Sequence, residues 1–219
     1  MPDPATSPRE RARCYFDVIS PFAYLQCVAL PALEARLDIE YVPVLLAGLL
    51  QHWGQLGPAE IPPKRRYVYR YCTWLAQQQG APMRFPPRHP FNPLRSLRLI
   101  IALGSEASVV RTVFGFIYGE GRDVGDAAQW ASLCARLGTT PAAVDTLIGA
   151  PAVKQQLRTN TEEAVRAGVF GVPTLVYRDE LFWGFDALEM LRAFLDDPQL
   201  FESESQRRLA TLSFGATRK

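Results

Sequence analysis

The chain is poor in the residues that build metal centres and dithiol redox sites. Its 219 residues include two histidines, His52 and His89, and four cysteines that form no CxxC pair. Because neither histidine lies near a cysteine in the sequence, we expect no zinc site. Scattered thiols in a chain without a secretion signal are typically reduced and buried, which we expect for Cys14, Cys27, Cys72 and Cys134.

Long apolar runs are also missing. No stretch approaches the ~18 uncharged residues that a membrane-spanning helix needs, and residues 1–13 lack the apolar centre of a signal peptide. With 48% hydrophobic and 21% charged residues, the chain can bury a core without disulfides or metals. These properties predict a cytoplasmic protein that makes no use of a membrane.

Acidic residues are absent from one long segment. Residues 61–105 contain no Asp or Glu but eight Lys and Arg, although the whole chain has a net charge of only +2. Such a segment attracts anionic ligands, and the alternative is a solvated helix face paired with acids elsewhere. Tyr67, Tyr71 and Trp74 recur in it at helical spacing, which favours a core stripe over a base-stacking surface and argues against nucleic-acid binding.

The order of the predicted elements indicates an α/β protein with a thioredoxin-like fold and a large all-helical insertion. A strand at 13–18, a helix at 22–37 interrupted by Pro31 and a parallel strand at 39–44 form the opening unit. A block of helices follows, at 64–79, 93–104, 106–118, 127–137, 141–149 and 152–167. The chain then returns to strands at 174–177 and 180–183 and to a helix that Asp186 could cap.

This order divides the chain into three parts. We expect a discontinuous thioredoxin-like domain at 13–60 and 168–197, a helical insertion at 61–167 and a C-terminal tail at 198–219. Two separate domains would instead need an exposed linker near 57–63 or 168, and both candidate linkers are short.

Ser20 stands where a thioredoxin-like protein would carry a reactive cysteine, between the first strand and the first helix. The unpaired N–H groups and the dipole of a helix N-terminus favour an anion and lower the pKa of a thiol held there. A serine cannot supply the thiolate, but its hydroxyl can donate a hydrogen bond to one. The tetrapeptide Ser20-Pro21-Phe22-Ala23 therefore predicts a borrowed thiol, with glutathione as its source. A simple helix cap is the alternative for Ser20.

A second local signal is Gly171-Val172-Pro173-Thr174, just before a predicted strand. A cis proline at this point would leave the backbone of Val172 outside regular strand pairing. A short extended peptide such as glutathione could then pair with that backbone. The ordinary trans bond is the alternative.

Five motifs occur in an order that resembles one enzyme family. They are FDVISPFAYL at 16–25, GPAEIPPKRRY at 57–67, FPPRHPFNPLR at 85–95, VFGVPT at 169–174 and FWGFD at 182–186. Together they resemble the 2-hydroxychromene-2-carboxylate isomerase family, which is related to kappa-class glutathione transferases and more distantly to DsbA. The resemblance extends from about 13 to 197 and implies glutathione as the cofactor, a homodimer and a role in aromatic catabolism.

The resemblance also implies roles for individual residues. Ser20 would be the catalytic residue that contacts the glutathione sulfur, and Lys64 would hold a glutathione carboxylate. Val172, before a cis Pro173, would pair with the cysteinyl backbone. Asp186 would bind the γ-glutamyl ammonium.

Two positions depart from the pattern of the kappa enzymes. Phe185 replaces a serine and would contribute its backbone alone, and Gln55, in the loop before Lys64, replaces an asparagine as a contact of glutathione. The small aromatic carboxylate that serves as second substrate would meet Phe22, Phe91, Asn92 and Arg95. Trp53 and Phe85 could complete the apolar walls.

The implied reaction interconverts 2-hydroxychromene-2-carboxylate and trans-o-hydroxybenzylidenepyruvate through a glutathione thiolate adduct. Addition of the thiolate would open the hemiketal ring, a C–C bond would rotate, and elimination would release glutathione. The alternatives are a kappa-like glutathione transferase or peroxidase and a non-catalytic thioredoxin-like binding module.

Overall fold

The computed structural model describes residues 9–209, 211–213 and 215–216. The chain forms two compact units, which meet in the sequence between Phe185 and Asp186. Within the described residues, no helix combines the length and the apolar character that a membrane crossing requires.

A four-stranded sheet organises the first unit. Its strands are β1 (Glu10–Phe16), β2 (Leu37–Pro43), β3 (Thr174–Tyr177) and β4 (Glu180–Trp183), in the order β2-β1-β3-β4. The strands β1 and β2 are parallel, as predicted, and β3 runs antiparallel to both β1 and β4. Cys14 is opposite Tyr41 on one side and Leu175 on the other. The mixed sheet thus joins segments from both ends of this unit, which confirms the predicted thioredoxin-like fold.

The predicted helix at 22–37 is two shorter helices. The first, α1 (Pro21–Ala29), ends at Leu30, and α2 (Pro31–Glu34) begins with Pro31. A proline inside a helix removes a backbone hydrogen bond and clashes with the preceding turn, whereas it is favourable at the first helical position. The chain therefore restarts a helix at Pro31 instead of continuing one.

A block of helices separates β2 from β3, as predicted. It contains α3 (Leu46–Trp53), which sequence reasoning missed, followed by a 3₁₀ turn at Pro58–Glu60. The remaining helices are α4 (Pro62–Gln78), α5 (Leu94–Ala102), α6 (Ala107–Phe114), α7 (Ala127–Arg136), α8 (Pro141–Gly149) and α9 (Pro151–Arg166). A π-helical turn, Gly115–Gly119, extends α6. These bounds lie close to the predicted ones because caps and prolines mark most helix ends.

The predicted core stripe on α4 is wrong. Tyr67, Tyr71 and Trp74 are 66%, 36% and 51% exposed, and their rings stack along the surface of the helix. The buried residues of α4 are the small side chains Cys72 and Ala76. Helical spacing identifies residues that share a face, but only the neighbouring elements decide which face is covered.

The core brings the two ends of the first unit together. One buried cluster joins the sheet to α3 and α9 and contains Tyr15, Val42, Val44, Leu49, Ala164, Val169 and Val172. Packing of this kind fixes the segment before β3 against the end of β1. All four cysteines are buried and free, as predicted.

The second unit contains α10 (Leu188–Asp196) and α11 (Glu204–Leu209). The N-cap of α10 is Ala187, so the expectation that Asp186 caps this helix is wrong. Phe194 and Phe201 stack within the unit at a centroid distance of 5.2 Å. The predicted tail at 198–219 includes α11, and its residues 210, 214 and 217–219 lie outside the described residues.

Candidate functional site

Ser20 lies at the N-terminus of α1 with an extended backbone, immediately after the turn that leaves β1. Its Oγ accepts a hydrogen bond from the N–H of Ala23 at 3.3 Å, and its side chain is 6% exposed. Pro21 occupies the first helical position and carries no N–H. The predicted cap is therefore present, and the first turn of α1 contains no acidic residue that would repel an anion.

The loop before β3 faces Ser20. The Val172–Pro173 peptide bond is cis, as predicted. The Oγ of Ser20 donates to the carbonyl oxygen of Val172 at 3.4 Å, although 152 residues separate the two in the sequence. A donor–acceptor distance of 3.4 Å is long for an O–H···O hydrogen bond. The hydroxyl proton can therefore turn to a stronger acceptor placed between α1 and this loop.

Aromatic side chains border this loop. Trp53, at the end of α3, donates from Nε1 to the carbonyl of Val169 at 3.0 Å, and it is 43% exposed. The half-exposed Trp183 packs on Phe170 with a centroid distance of 5.0 Å. A Cβ atom at Gly171 would lie 2.6 Å from the Trp183 indole nitrogen, so that only glycine permits this approach.

Phe22 and Lys64 lie on the helices beside Ser20. Phe22 is half-buried two residues after Ser20, and its ring lies 6.2 Å from that of Tyr71 on α4. Lys64 is exposed in the first turn of α4, where it has no ion pair among the described residues. A cation at a helix N-terminus is unfavourable, and no acid in that turn offsets it. Lys64 is therefore placed to gain from a bound anion.

Four of the other predicted residues have partners or positions of their own. Gln55 is exposed in the loop after α3, and Phe91 packs on the ring of His89 at 5.9 Å. The Oδ1 of Asn92 accepts from the N–H of Leu94 at 3.0 Å at the start of α5.

The guanidinium of Arg95 bonds to Asp145 at 2.7 Å and lies over the ring of Trp130. These contacts connect Arg95 to α7 and α8, and no contact between described residues joins it to Ser20.

Phe185 and Asp186 lie at the boundary between the two units. Phe185 is half-buried at the end of the first unit, and Asp186 is exposed in the turn before α10. Because Ala187 is the N-cap of that helix, capping does not occupy the Asp186 carboxylate. The glutathione-binding roles of both residues stay predictions.

Sequence reasoning missed a buried carboxylate beneath Ser20. Asp17 is 1% exposed, and its two oxygens accept from the N–H groups of Ile19 at 3.0 Å and Leu46 at 2.9 Å. Burial raises the pKa of Asp17 to about 7, although both backbone hydrogen bonds act in the opposite direction. Asp17 thus joins the turn before Ser20 to the first residue of α3. Its position within the motif that contains Ser20 was the available signal.

Sequence reasoning also missed two side chains that bind the backbone just before Ser20. The Nε2 of His89 and the Oη of Tyr118 each lie 2.7 Å from the carbonyl oxygen of Ile19. His89 belongs to one of the five motifs and is one of two histidines in the chain. Its partner Ile19 lies 70 residues away, and no local pattern indicates a contact at that separation.

Comparisons with known proteins agree with this architecture. Residues 13–196 match the family described as "DSBA-like thioredoxin domain". A 2-hydroxychromene-2-carboxylate isomerase of Sphingobium xenophagum is 30% identical over 188 residues, which cover 84% of this chain and 96% of the relative. A glutathione S-transferase kappa 2 of Caenorhabditis elegans is 27% identical, covering 87% of this chain and 93% of the relative.

A solved structure resembles the chain over almost its whole length. The structure of a 2-hydroxychromene-2-carboxylate isomerase superposes with a TM-score of 0.77 and 27% identity, and the match covers 93% of this chain and 100% of that one. The family match over residues 13–196 includes both the β1–α1 turn and the loop before β3, which together form the candidate site.

Proposed function

The chain belongs to the family of DSBA-like thioredoxin domains, and on that premise we propose that it is a glutathione-dependent isomerase acting on 2-hydroxychromene-2-carboxylate. The product is trans-o-hydroxybenzylidenepyruvate. Glutathione supplies the nucleophilic thiolate in this reaction, and the protein binds it, orients it and keeps it ionised. Relatives named as isomerases of this substrate and as kappa-class glutathione transferases support both halves of the proposal.

One observation supports the proposal above all others: the Ser20 hydroxyl faces the Val172 carbonyl across the cis loop at 3.4 Å. A site for a thiolate needs a hydrogen-bond donor without a negative charge of its own, and Ser20 provides it at a helix N-terminus. A site for a tripeptide needs a backbone outside regular strand pairing, and Val172 provides it before the cis bond. The donor set therefore fits the thiol and the peptide backbone of glutathione.

We assign the charged ends of glutathione to Lys64 and Asp186. The Lys64 ammonium binds a carboxylate, which would offset an exposed cation in the first turn of α4. By the resemblance, Asp186 binds the γ-glutamyl ammonium and Phe185 contributes through its backbone. Gln55 is a further polar candidate in the loop that precedes α4.

The second substrate needs apolar walls and a cationic surrounding for its carboxylate. Phe22 follows Ser20 closely in the sequence, and its ring packs against that of Tyr71 on α4. The Tyr71 ring in turn stacks on the exposed Trp74. The acid-free segment 61–105 supplies the positive potential. By the resemblance, Asn92 and Arg95 contact the substrate carboxylate, for which each would exchange its present partner, Leu94 or Asp145.

Ser20→Ala tests the catalytic role. Hydrogen bonds to charged groups contribute about 1.5–3 kcal/mol, so turnover should fall by about 10- to 100-fold while glutathione affinity changes less. Both quantities follow from the absorbance change of the substrate at varied glutathione and from calorimetric titration with glutathione.

Thr140→Ala is the matched control. Thr140 caps α8 in the same way, accepting from the Ala143 N–H at 3.3 Å, so that both variants lose one helix cap of about 1 kcal/mol. We expect Thr140→Ala to keep its turnover. Full activity of Ser20→Ala would remove this residue from the mechanism, and equal losses in both variants would reduce its role to capping.

A kappa-like transferase is the second candidate, because the match to the kappa-class relative covers 87% of this chain, against 84% for the isomerase. The two activities differ in the fate of glutathione. An isomerase regenerates glutathione in each cycle, whereas a transferase consumes it. Thiol titration before and after complete substrate conversion distinguishes the two.

We also propose that the enzyme works in the cytoplasm as a homodimer. Four buried free thiols suit a reducing compartment. The resemblance to the isomerase family supports the homodimer. Analytical ultracentrifugation tests the dimer, and a monomer at micromolar concentration would contradict it.

A further inference from the structure

His89 lies in the loop between α4 and α5 and is enclosed by aromatic rings. The rings of Tyr69, Phe85, Phe91 and Tyr118 surround it at centroid distances from 5.2 to 6.2 Å. The ring is half-buried, and none of the hydrogen bonds that it makes with described residues involves a carboxylate. Both of its ring nitrogens are engaged, as is normal for a buried polar group, so its role depends on what they bind.

The partners of His89 determine where its proton lies. The carbonyl oxygen of Ile19 can only accept, so the Nε2 atom 2.7 Å away must carry a hydrogen. Tyr69 Oη lies 2.6 Å from Nδ1 and donates to it when the ring is neutral. The same hydroxyl lies 2.9 Å from the carbonyl oxygen of His89, to which its proton can turn.

The charges around the ring favour the neutral form. Burial lowers the pKa of His89 below its usual value, and the nearby Arg65 adds to this effect, while the bond to Ile19 opposes it. Besides Arg65, Tyr69 and Cys72 on α4, the titratable groups on this side are Tyr118 from the π-helical turn and the buried Asp17 close to it. A neutral Nε2–H imidazole is therefore the species that binds Ile19.

Three backbone groups between Asp17 and Ser20 are held by hydrogen bonds. The Ile19 N–H donates to the Asp17 carboxylate at 3.0 Å, and the Ser20 N–H donates to the Asp17 carbonyl at 3.0 Å. The Ile19 carbonyl accepts from both His89 and Tyr118 at 2.7 Å. Because this carbonyl belongs to the peptide group that joins Ile19 to Ser20, the two donors fix the orientation of that peptide plane.

We propose that His89, with Tyr118, is a positioning residue that acts through the Ile19 carbonyl to aim the Ser20 hydroxyl at the bound thiol. The inference rests on the proposed function and deepens it, because it assigns to the helical block a direct part in the site. Both donors act on the Ile19 carbonyl. Both come from elements far along the chain, so the catalytic serine is oriented only when the helical block is packed against the β1–α1 turn.

The test compares His89→Ala with His89→Gln. Glutamine carries an amide N–H that can donate to the Ile19 carbonyl in place of the histidine, whereas alanine has no side-chain donor. A misplacement of about 1 Å in a catalytic group costs on the order of 100-fold, so we expect His89→Ala to lower turnover by roughly 10- to 100-fold and His89→Gln to recover much of it. Tyr118→Phe removes the other donor while keeping the ring, and it should fall between the two.

A double-mutant cycle with Ser20→Ala separates positioning from a general structural effect. If His89 acts through Ser20, His89→Ala should cause no further loss in the Ser20→Ala background. Losses that multiply in the double variant would overturn the inference. His52→Gln, which changes the only other histidine, is the matched control and should leave turnover unchanged.

Amide hydrogen exchange measured by NMR gives a readout independent of activity. The Ala23 N–H donates to both Ser20 Oγ at 3.3 Å and the Ser20 carbonyl oxygen at 3.1 Å. A released serine should therefore speed its exchange in His89→Ala but not in His89→Gln or His52→Gln. Unchanged exchange at Ala23 in His89→Ala would overturn the inference. A wild type without glutathione-dependent turnover would instead reject the proposed function, and the exchange of Ala23 would then decide the positioning role alone.

Discussion

Replacement of the buried Asp17 should change how the stability of the protein depends on pH. The pKa of this carboxyl is raised from 3.8 to about 7 by burial, so the folded state holds a proton that the unfolded chain releases near pH 4. The stabilisation linked to this proton is fully present below the unfolded pKa and is lost as the pH rises toward the folded pKa. A shift of about 3 pKa units corresponds to about 4 kcal/mol in total.

The effect is measurable within the range where the protein is handled. Between pH 5 and pH 8, the linkage relation gives a loss of about 3 kcal/mol from Asp17. For a chain of this size, such a loss lowers Tm by roughly 5–10 °C. Asp17→Asn removes the titration. Between pH 5 and pH 8, the wild type should therefore lose about 3 kcal/mol of unfolding free energy relative to the variant.

Urea unfolding at four pH values between 5 and 8 measures that difference. His89 contributes a slope of opposite sign, because its pKa is lowered, and the comparison between wild type and variant cancels this contribution. Asp38→Asn, which removes a carboxylate that is 57% exposed on β2, controls for the loss of one negative charge. A difference between wild type and Asp17→Asn that stays constant with pH would refute the reasoning.

Three further predictions follow from the same structure. Lys64→Ala should raise the KM for glutathione about fivefold with little change in kcat, as measured by steady-state kinetics. Lys154→Ala, an exposed control in α9, should change neither constant. A normal KM in Lys64→Ala would show that Lys64 faces solvent and does not bind glutathione. Trp74→Ala should cost less than about 1 kcal/mol of unfolding free energy, whereas replacement of the buried Trp130 by Ala should cost about 3–5 kcal/mol. Urea unfolding measures both losses, and similar values would show that Trp74 is buried. Burial raises the pKa of both the Cys27 and Cys72 thiols to about 12. Iodoacetamide at pH 8 should therefore label no cysteine before urea is added. Labelling of the native protein, detected by mass spectrometry, would contradict the burial of Cys14, Cys27, Cys72 and Cys134.

Local signals in the sequence located two parts of the candidate site. Ser20 between a strand and a helix, and Pro173 before a strand, are features of a few consecutive residues, and the structure brings them face to face at 3.4 Å through Val172. The helix bounds were predictable for the same reason, since caps and prolines act within one turn. Pro31 illustrates the limit, because its exclusion from a helix interior was evident but the restart of a second helix at that residue was not.

Other parts of the site depend on partners that no local pattern reveals. Tyr67, Tyr71 and Trp74 share one face of α4, and their spacing gives no sign that the opposite face, with Cys72 and Ala76, is the buried one. Which side of a helix is covered depends on the elements that pack against it. The same is true of Arg95, whose ion pair with Asp145 depends on the packing of α5 against α8.

By itself, the sequence determined the thioredoxin-like order of elements, the helical insertion, the family and the serine that replaces a cysteine. These properties depend on periodicity, caps, prolines and motifs, all of which act over short distances along the chain. Only the tertiary structure decided that Asp17 is buried beneath that serine and that His89 and Tyr118 hold the Ile19 carbonyl. Those contacts form between residues far apart in sequence, and the energy of each one depends on burial that exists only once the helical block has packed against the sheet.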